Sequence, residues 1–208
     1  HAAAKRLEGH VVPTPLVDAP MLSATLGCEV KLKLENLQHT SSFKARGAFI
    51  AMQALPDEAR QRGVITMSAG NHAQAVAYHA RQMGIPAVIV MPAQTPFAKV
   101  SRTRSHGAEV VLEGRNLNEC EELVGQLIKA RGLSLIHPYD DEHVMTGQGS
   151  VGLEMLTDDP ELDVLVVPIG GGGLIGGIAT IARDMRPNIR IVGVQTELYP
   201  AMKLAVAG

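Results

Sequence analysis

Short apolar runs rich in Val and Ile recur along the chain, separated by longer segments whose apolar positions follow a helical period. The runs predict strands over Glu29–Glu35, Val64–Met67, Ala87–Met91, Ala108–Leu112, Leu133–Ile136, Val164–Pro168 and Ile189–Val194. Between them, the spacing over Asn71–Met83 puts Ala73, Val76, Ala77, Ala80 and Met83 on one helix face. Over Leu174–Met185 it does the same for Ile178, Ile181, Ala182 and Met185. Phe43–Leu55, Pro96–His106, Asn116–Arg131 and Asp141–Leu156 also read as helices. Strands that alternate with helices call for right-handed crossovers and parallel pairing, with helices on both faces. The wholly apolar Val164-Leu165-Val166-Val167 fits a strand buried on both sides. The expected class is α/β, with two open, mostly parallel twisted sheets. Pro and charge cluster at Gln53–Arg62 and Pro138–Glu142. A small α/β unit, 58–138, is therefore expected as an insertion in a larger unit made of 1–57 and 139–208.

Composition narrows the function. With 46% hydrophobic and 19% charged residues the chain has enough apolar material for a core. A net charge of −2 offers no field for a nucleic acid or an anionic membrane. Three Tyr, three Phe and no Trp are too few aromatics for a base-stacking surface. Cys28 and Cys120 cannot build a disulfide framework, which fits the reducing cytoplasm. No apolar run reaches the ~18 residues of a membrane span, and the start lacks a signal peptide's apolar stretch. The chain begins without Met and stops at Met202–Gly208 within an apolar helical pattern, so both ends are expected to be cut.

In open parallel sheets ligands bind beyond the carboxyl ends of strands, so the strand-to-helix turns hold the candidate chemistry. The run Gly170-Gly171-Gly172-Gly173-Leu174 follows a strand and opens a helix. Its exposed amides and the helix terminus make a phosphate cradle, although glycines also permit close helix–sheet packing. Gly171, Gly173 and Gly176 satisfy a dinucleotide fingerprint, with Glu197 after the next strand, so an NAD(P)-binding Rossmann module is one reading. Ser68-Ala69-Gly70-Asn71-His72 is a second such turn, suited to a carboxylate and equally to an ordinary helix cap. A third polar loop enters a helix whose first turn carries Lys44. The helix field and partial burial there would lower the amine's pKa and make it nucleophilic. A reactive amine, a phosphate cradle and a carboxylate cradle together are what an amino-acid enzyme using pyridoxal phosphate requires.

The three motifs, in this order, resemble those of the fold-type II pyridoxal-phosphate enzymes (tryptophan synthase β-like), in the threonine/serine dehydratase and serine racemase branch. Ser42-Phe43-Lys44-Ala45-Arg46-Gly47-Ala48 resembles the Schiff-base segment. The resemblance implies that Lys44 holds pyridoxal 5′-phosphate and later acts as base at Cα, with Phe43 packed beside the cofactor. It implies that Asn71 contacts the pyridine 3′-oxygen, that Ser68, Gly70, Asn71 and His72 hold the substrate carboxylate, and that Gly170, Gly171, Gly172, Gly173 and Leu174 hold the phosphate. The implied reaction is β-elimination on a β-hydroxy amino acid: threonine to 2-oxobutyrate and ammonia first, serine to pyruvate second. A racemase is the alternative, but it needs a proton donor on each face of the cofactor, and Ala69 has no transferable proton. The family's cation-site carboxylates fall at Gln195 and Ala201, so no metal is expected, with Glu197 the one remaining candidate there. The residue facing the pyridine nitrogen is expected beyond the chain end, and a homodimer or homotetramer is the family's expectation. Elsewhere the histidines and cysteines show no metal-ligand spacing, Asp140-Asp141-Glu142 reads as a helix start, and Gly149-Ser150-Val151-Gly152 lacks a nucleophile elbow.

Overall fold

The computed structural model describes residues 1–115 and 117–207. The chain opens with α1 (Ala2–Leu7), β1 (Leu16–Asp18), α2 (Pro20–Leu26) and β2 (Lys31–Lys33), then a 3-10 turn at Glu35–Leu37. There follow α3 (Lys44–Ala54), α4 (Asp57–Arg62), β3 (Val64–Met67), α5 (Asn71–Met83), β4 (Ala87–Met91), α6 (Phe97–Arg104) and β5 (Glu109–Leu112). The rest comprises α7 (Leu117–Arg131), β6 (Ser134–Leu135), α8 (Glu142–Asp158), β7 (Val164–Pro168), α9 (Gly173–Met185), β8 (Arg190–Val194) and α10 (Ala201–Ala207). The predicted start of α7 at Asn116 lies outside the described residues, as does Gly208.

The α/β class and the parallel pairing are as expected. Four strands form a parallel sheet in the order β5-β4-β3-β6, and β7 pairs parallel with β8. A third, two-stranded ribbon is antiparallel: β1 pairs with β2, from Leu16 opposite Lys33 to Asp18 opposite Lys31. The strand expected over Glu29–Glu35 shrinks to Lys31–Lys33, because Glu35 already turns into the 3-10 segment. Its partner β1 has only three residues, too few to show alternation.

Strand alternation sorts the four-stranded sheet's side chains between two helix layers. Val64, Ile89 and Met91 pack with Ala73, Val76, Ala77 and Ala80 of α5 and with Ala48 and Met52 of α3. Ile65, Val88 and Val90 point the other way, to Cys120 and Val124 of α7. From β3 the chain runs outward through β4 to β5, while β6 lies on β3's other side. The carboxyl ends of β3 and β6 therefore flank a topological switch point, where an open sheet leaves a crevice.

Helix α8 joins the two halves of the molecule by packing against both α3 and α9. Its glycines allow the close approach. A methyl on Gly147 would stand 2.6 Å from the Arg46 carbonyl oxygen, and one on Gly149 would stand 2.9 Å from that of Gly177. The run Gly147-Gln148-Gly149-Ser150-Val151-Gly152 is thus a helix-packing surface. Asp141 caps α8 by accepting from the Val144 amide at 2.8 Å, as the acidic start suggested.

Candidate active site

Lys44 is the first residue of α3, directly after Phe43. The turn before it is tight: Ser41 takes a φ of 54°, the one non-glycine residue with positive φ among those described. The Gln38 side chain anchors this loop by bonding both the amide and the carbonyl of Val12, at 2.8 and 2.9 Å. Phe43 packs into the same apolar cluster as Leu174 and Ile175, so the lysine segment and the glycine loop share one support. The Lys44 amine lies 5.4 Å from the centre of the Phe43 ring and donates to the Pro138 carbonyl. It forms no ion pair among the described residues, and burial lowers its pKa from 10.5 to about 8.

Two residues on, the Arg46 guanidinium is completely buried. Glu35 takes its Nε at 2.9 Å and Nη2 at 2.8 Å, while Glu154 of α8 takes Nη2 at 2.8 Å and also Nη1. Ser150 accepts from Nη1 at 3.0 Å. Lys33 adds a second cation 2.7 Å from Glu154. Arg46 thus fixes the start of α3 to the segment after β2 and to α8. Its side chain was missed in the sequence reading. The only signal was an arginine placed two positions after the lysine, on a helix otherwise apolar from Ala45 to Met52.

The second loop leaves β3. The Ser68 hydroxyl accepts from the Gly70 amide at 3.2 Å, Gly70 caps α5, Asn71 is exposed at its first position and Ala69 is half-buried. His72 is buried; its Nε2 bonds the Ile136 carbonyl at 3.0 Å, and its Nδ1 has no partner among the described residues. Burial pushes the imidazole down to about 3, with nearby Lys44 and His137 acting in the same direction. The ring is therefore neutral, with its proton on the nitrogen facing the carbonyl.

The third loop joins β7 to α9. Gly172 is the N-cap, with a φ of 91° that favours glycine. The amides of Gly170 to Leu174 have no acceptor among the described residues. A methyl on Gly173 would stand 2.8 Å from the Tyr139 carbonyl, and one on Gly171 would strike the Tyr139 ring. Gln195 braces the loop, donating to the Gly170 carbonyl at 3.2 Å and accepting from the Lys203 amide at 3.2 Å. Gly176, the third glycine of the dinucleotide fingerprint, lies within α9, where a methyl would touch the Met145 sulfur at 3.4 Å. Glu197 is exposed beyond β8. No group of three or more His, Cys, Asp or Glu among the described residues is arranged to hold a metal.

A fourth segment, which the sequence reading treated only as a boundary, connects the three loops. After β6, Ile136 receives His72, Pro138 receives Lys44, and Tyr139 packs on Gly171 and Gly173. This is the crevice at the ends of β3 and β6. A separate cleft of about 550 Å³ lies between α1, α8 and α9, but contains neither Lys44 nor the glycine loop.

A half-buried amine of lowered pKa with no counter-charge, and a row of free amides at a helix N-terminus, fit a carbonyl-bearing phosphate ester. Tyr139 leaves no room for a side chain at Gly171 or Gly173, so this part of the loop is bare backbone with free amides. Fold and site together define a pyridoxal-phosphate enzyme. Residues 7–208 match the family described as pyridoxal-phosphate dependent enzyme, and the chain belongs to it. This membership replaces the NAD(P) reading of the glycine fingerprint. The chain is 46% identical over 200 residues to an L-threonine ammonia-lyase of Thermotoga maritima, covering 96% of this chain and 50% of that protein. It superposes on the processed form of threonine deaminase isoform 2 from Solanum lycopersicum with a TM-score of 0.95 and 37% identity, covering 99% of this chain and 57% of the other. Maize serine racemase gives a TM-score of 0.95 and 36% identity over 99% of this chain and 63% of the other. The chain spans about half the length of the curated relatives it matches.

Proposed function

We propose that this chain carries the lysine and phosphate-binding half of a threonine ammonia-lyase. The observation that supports it most is the convergence of all three loops on Ile136–Tyr139, where the Lys44 amine meets the Pro138 carbonyl. Residues 58–138, which include the four-stranded sheet, are the small inserted domain; 1–57 and 139–208 belong to the larger one. Amides of Gly170, Gly171, Gly172, Gly173 and Leu174 bind the cofactor phosphate, Phe43 supports the ring, and Asn71 meets its 3′-oxygen. Ser68, Gly70, Asn71 and His72 hold the substrate carboxylate.

When bound, pyridoxal phosphate draws electrons away from the substrate Cα and so lets the α-proton and β-hydroxyl depart. Lys44 would hold the cofactor, and its free amine would take the proton from Cα. A pKa of about 8 keeps a useful fraction of the amine unprotonated near neutrality. Neutral His72 keeps positive charge away from that amine. Ala69 supplies no proton to the opposite face, which favours elimination over racemisation. The overall change is threonine to 2-oxobutyrate and ammonia, with serine to pyruvate as the second substrate. Relatives named L-threonine ammonia-lyase and L-threonine dehydratase support that order. No helix among the described residues is long and apolar enough to cross a membrane. We place the enzyme in the cytoplasm as a homodimer or homotetramer.

The test is a 2-oxo acid assay on the full-length protein with L-threonine and L-serine. Lys44→Ala is expected to abolish product from both, and Ala69→Ser to add measurable racemisation. Unchanged turnover by Lys44→Ala, or no 2-oxo acid from either substrate, contradicts the proposal.

A further inference from the structure

The segment that connects the three loops has no regular hydrogen-bonded structure between β6 and α8, so something else must set its shape. His137 does so locally. Its Nδ1 accepts from the Asp140 amide at 2.8 Å and from the Tyr139 amide at 3.3 Å. Its ring packs edge-on against Tyr139, with centroids 4.7 Å apart. Side-chain acceptance from amides two and three residues ahead is the geometry by which Asn and Asp fix turns. The two donors require Nδ1 to be unprotonated, so a neutral ring carries its proton on Nε2. The turn so made presents the Pro138 carbonyl to Lys44 and lays Tyr139 against Gly171 and Gly173.

We propose that His137 is a positioning residue that, by folding the Pro138–Tyr139 turn, holds the Lys44 amine and the glycine loop in register for the cofactor. Among the described residues no hydrogen bond or ion pair joins it to the amine or to the glycine loop. It acts through Pro138 on one and through Tyr139 on the other. The burial that depresses the Lys44 pKa is then in part the work of this turn. A loosened turn lets water reach the amine and moves its titration back toward the ordinary value. The proposal rests on the reading of Lys44 as the cofactor's lysine, but the state of the amine can be measured without cofactor.

Two variants of the full-length protein separate this role from general support. In His137→Asn the amide oxygen takes the place of Nδ1 and keeps an acceptor for both amides. In His137→Leu the bulk remains but the acceptor is lost. Competitive labelling of the apoenzyme with acetic anhydride, read by peptide mass spectrometry, gives the pH at which Lys44 is half reactive. Pyridoxal phosphate titration, followed by the absorbance of the lysine-bound cofactor, gives its dissociation constant. For His137→Leu we expect the half-reactive pH to move up from about 8 toward 10.5. We also expect its dissociation constant to rise about tenfold, the size of one or two lost hydrogen bonds, with His137→Asn staying within about twofold of the parent. Wild-type behaviour of His137→Leu, or equal loss in both variants, overturns the proposal. If the parent protein attaches no cofactor at Lys44, the functional reading fails, and the labelling arm alone still decides the role of His137.

Discussion

At the scale of single residues, the site is organised around an amine deprived of solvent and of any counter-charge. In the apoprotein Lys44 holds its proton less tightly folded, at about 8, than unfolded, near 10.5. Below pH 8 the buried charge therefore costs stability, and the cost fades as pH rises from 8 to 10.5. Lys44→Met is expected to raise the apoprotein's unfolding free energy at pH 7 by about 1–3 kcal/mol while abolishing cofactor attachment. Denaturant titration checks this, and a less stable Met variant contradicts the assigned cause. Lys44 was legible in the sequence from its neighbours and its place at a helix start. Its carbonyl partner was not, because Pro138 lies 94 positions away and contributes only backbone. His72 was legible as part of the carboxylate loop. That its side chain turns inward to Ile136 was not, because local spacing says nothing about a contact 64 positions off.

At the scale of elements, α8 holds α3 and α9 at fixed distances, through glycine contacts and through the Arg46 cluster. Breaking a buried pair leaves an uncompensated charge. Arg46→Met takes the counter-charge from Glu35, which keeps the Thr14 hydroxyl, and loosens Glu154, which retains Lys33. Its expected cost is about 3–5 kcal/mol, measured by chemical unfolding, with cofactor affinity falling as α3 shifts. Gly147→Ala drives a methyl against the Arg46 carbonyl and is expected to cost about 1–3 kcal/mol. A stability equal to the parent's in either variant would show that α8 does not set the spacing. The long periodic helices α5, α8 and α9 and the apolar strands β3, β4 and β7 were legible within two residues at each end. The short elements α1, β1, α2 and α4 were not: none exceeds seven residues, so a helical or alternating period has no room to repeat. The glycines of α8 look like a loop or a motif in isolation and gain their meaning only from the helices that cross them.

At the scale of the whole molecule, two buried histidines set an acid limit. Burial lowers both His72 and His79 to about 3, and for His79 the nearby His39 and His10 lower it further. Between about 6.5 and 3 the unfolded chain binds protons that the folded chain refuses, so stability falls as pH falls through that window. The thermal midpoint is expected to drop steadily below pH 6, and less steeply in His79→Phe. An identical slope in the two proteins contradicts the assignment. Apolar side chains also remain exposed on one face of the β7–β8 pair, at Val164, Val166 and Val194. If the three loops serve one amine, adding pyridoxal phosphate to the full-length protein, reducing with borohydride and mapping the modified peptide by mass spectrometry gives one stable adduct, on Lys44, lost in Lys44→Ala. A stable adduct on another lysine, or none at all, would contradict it.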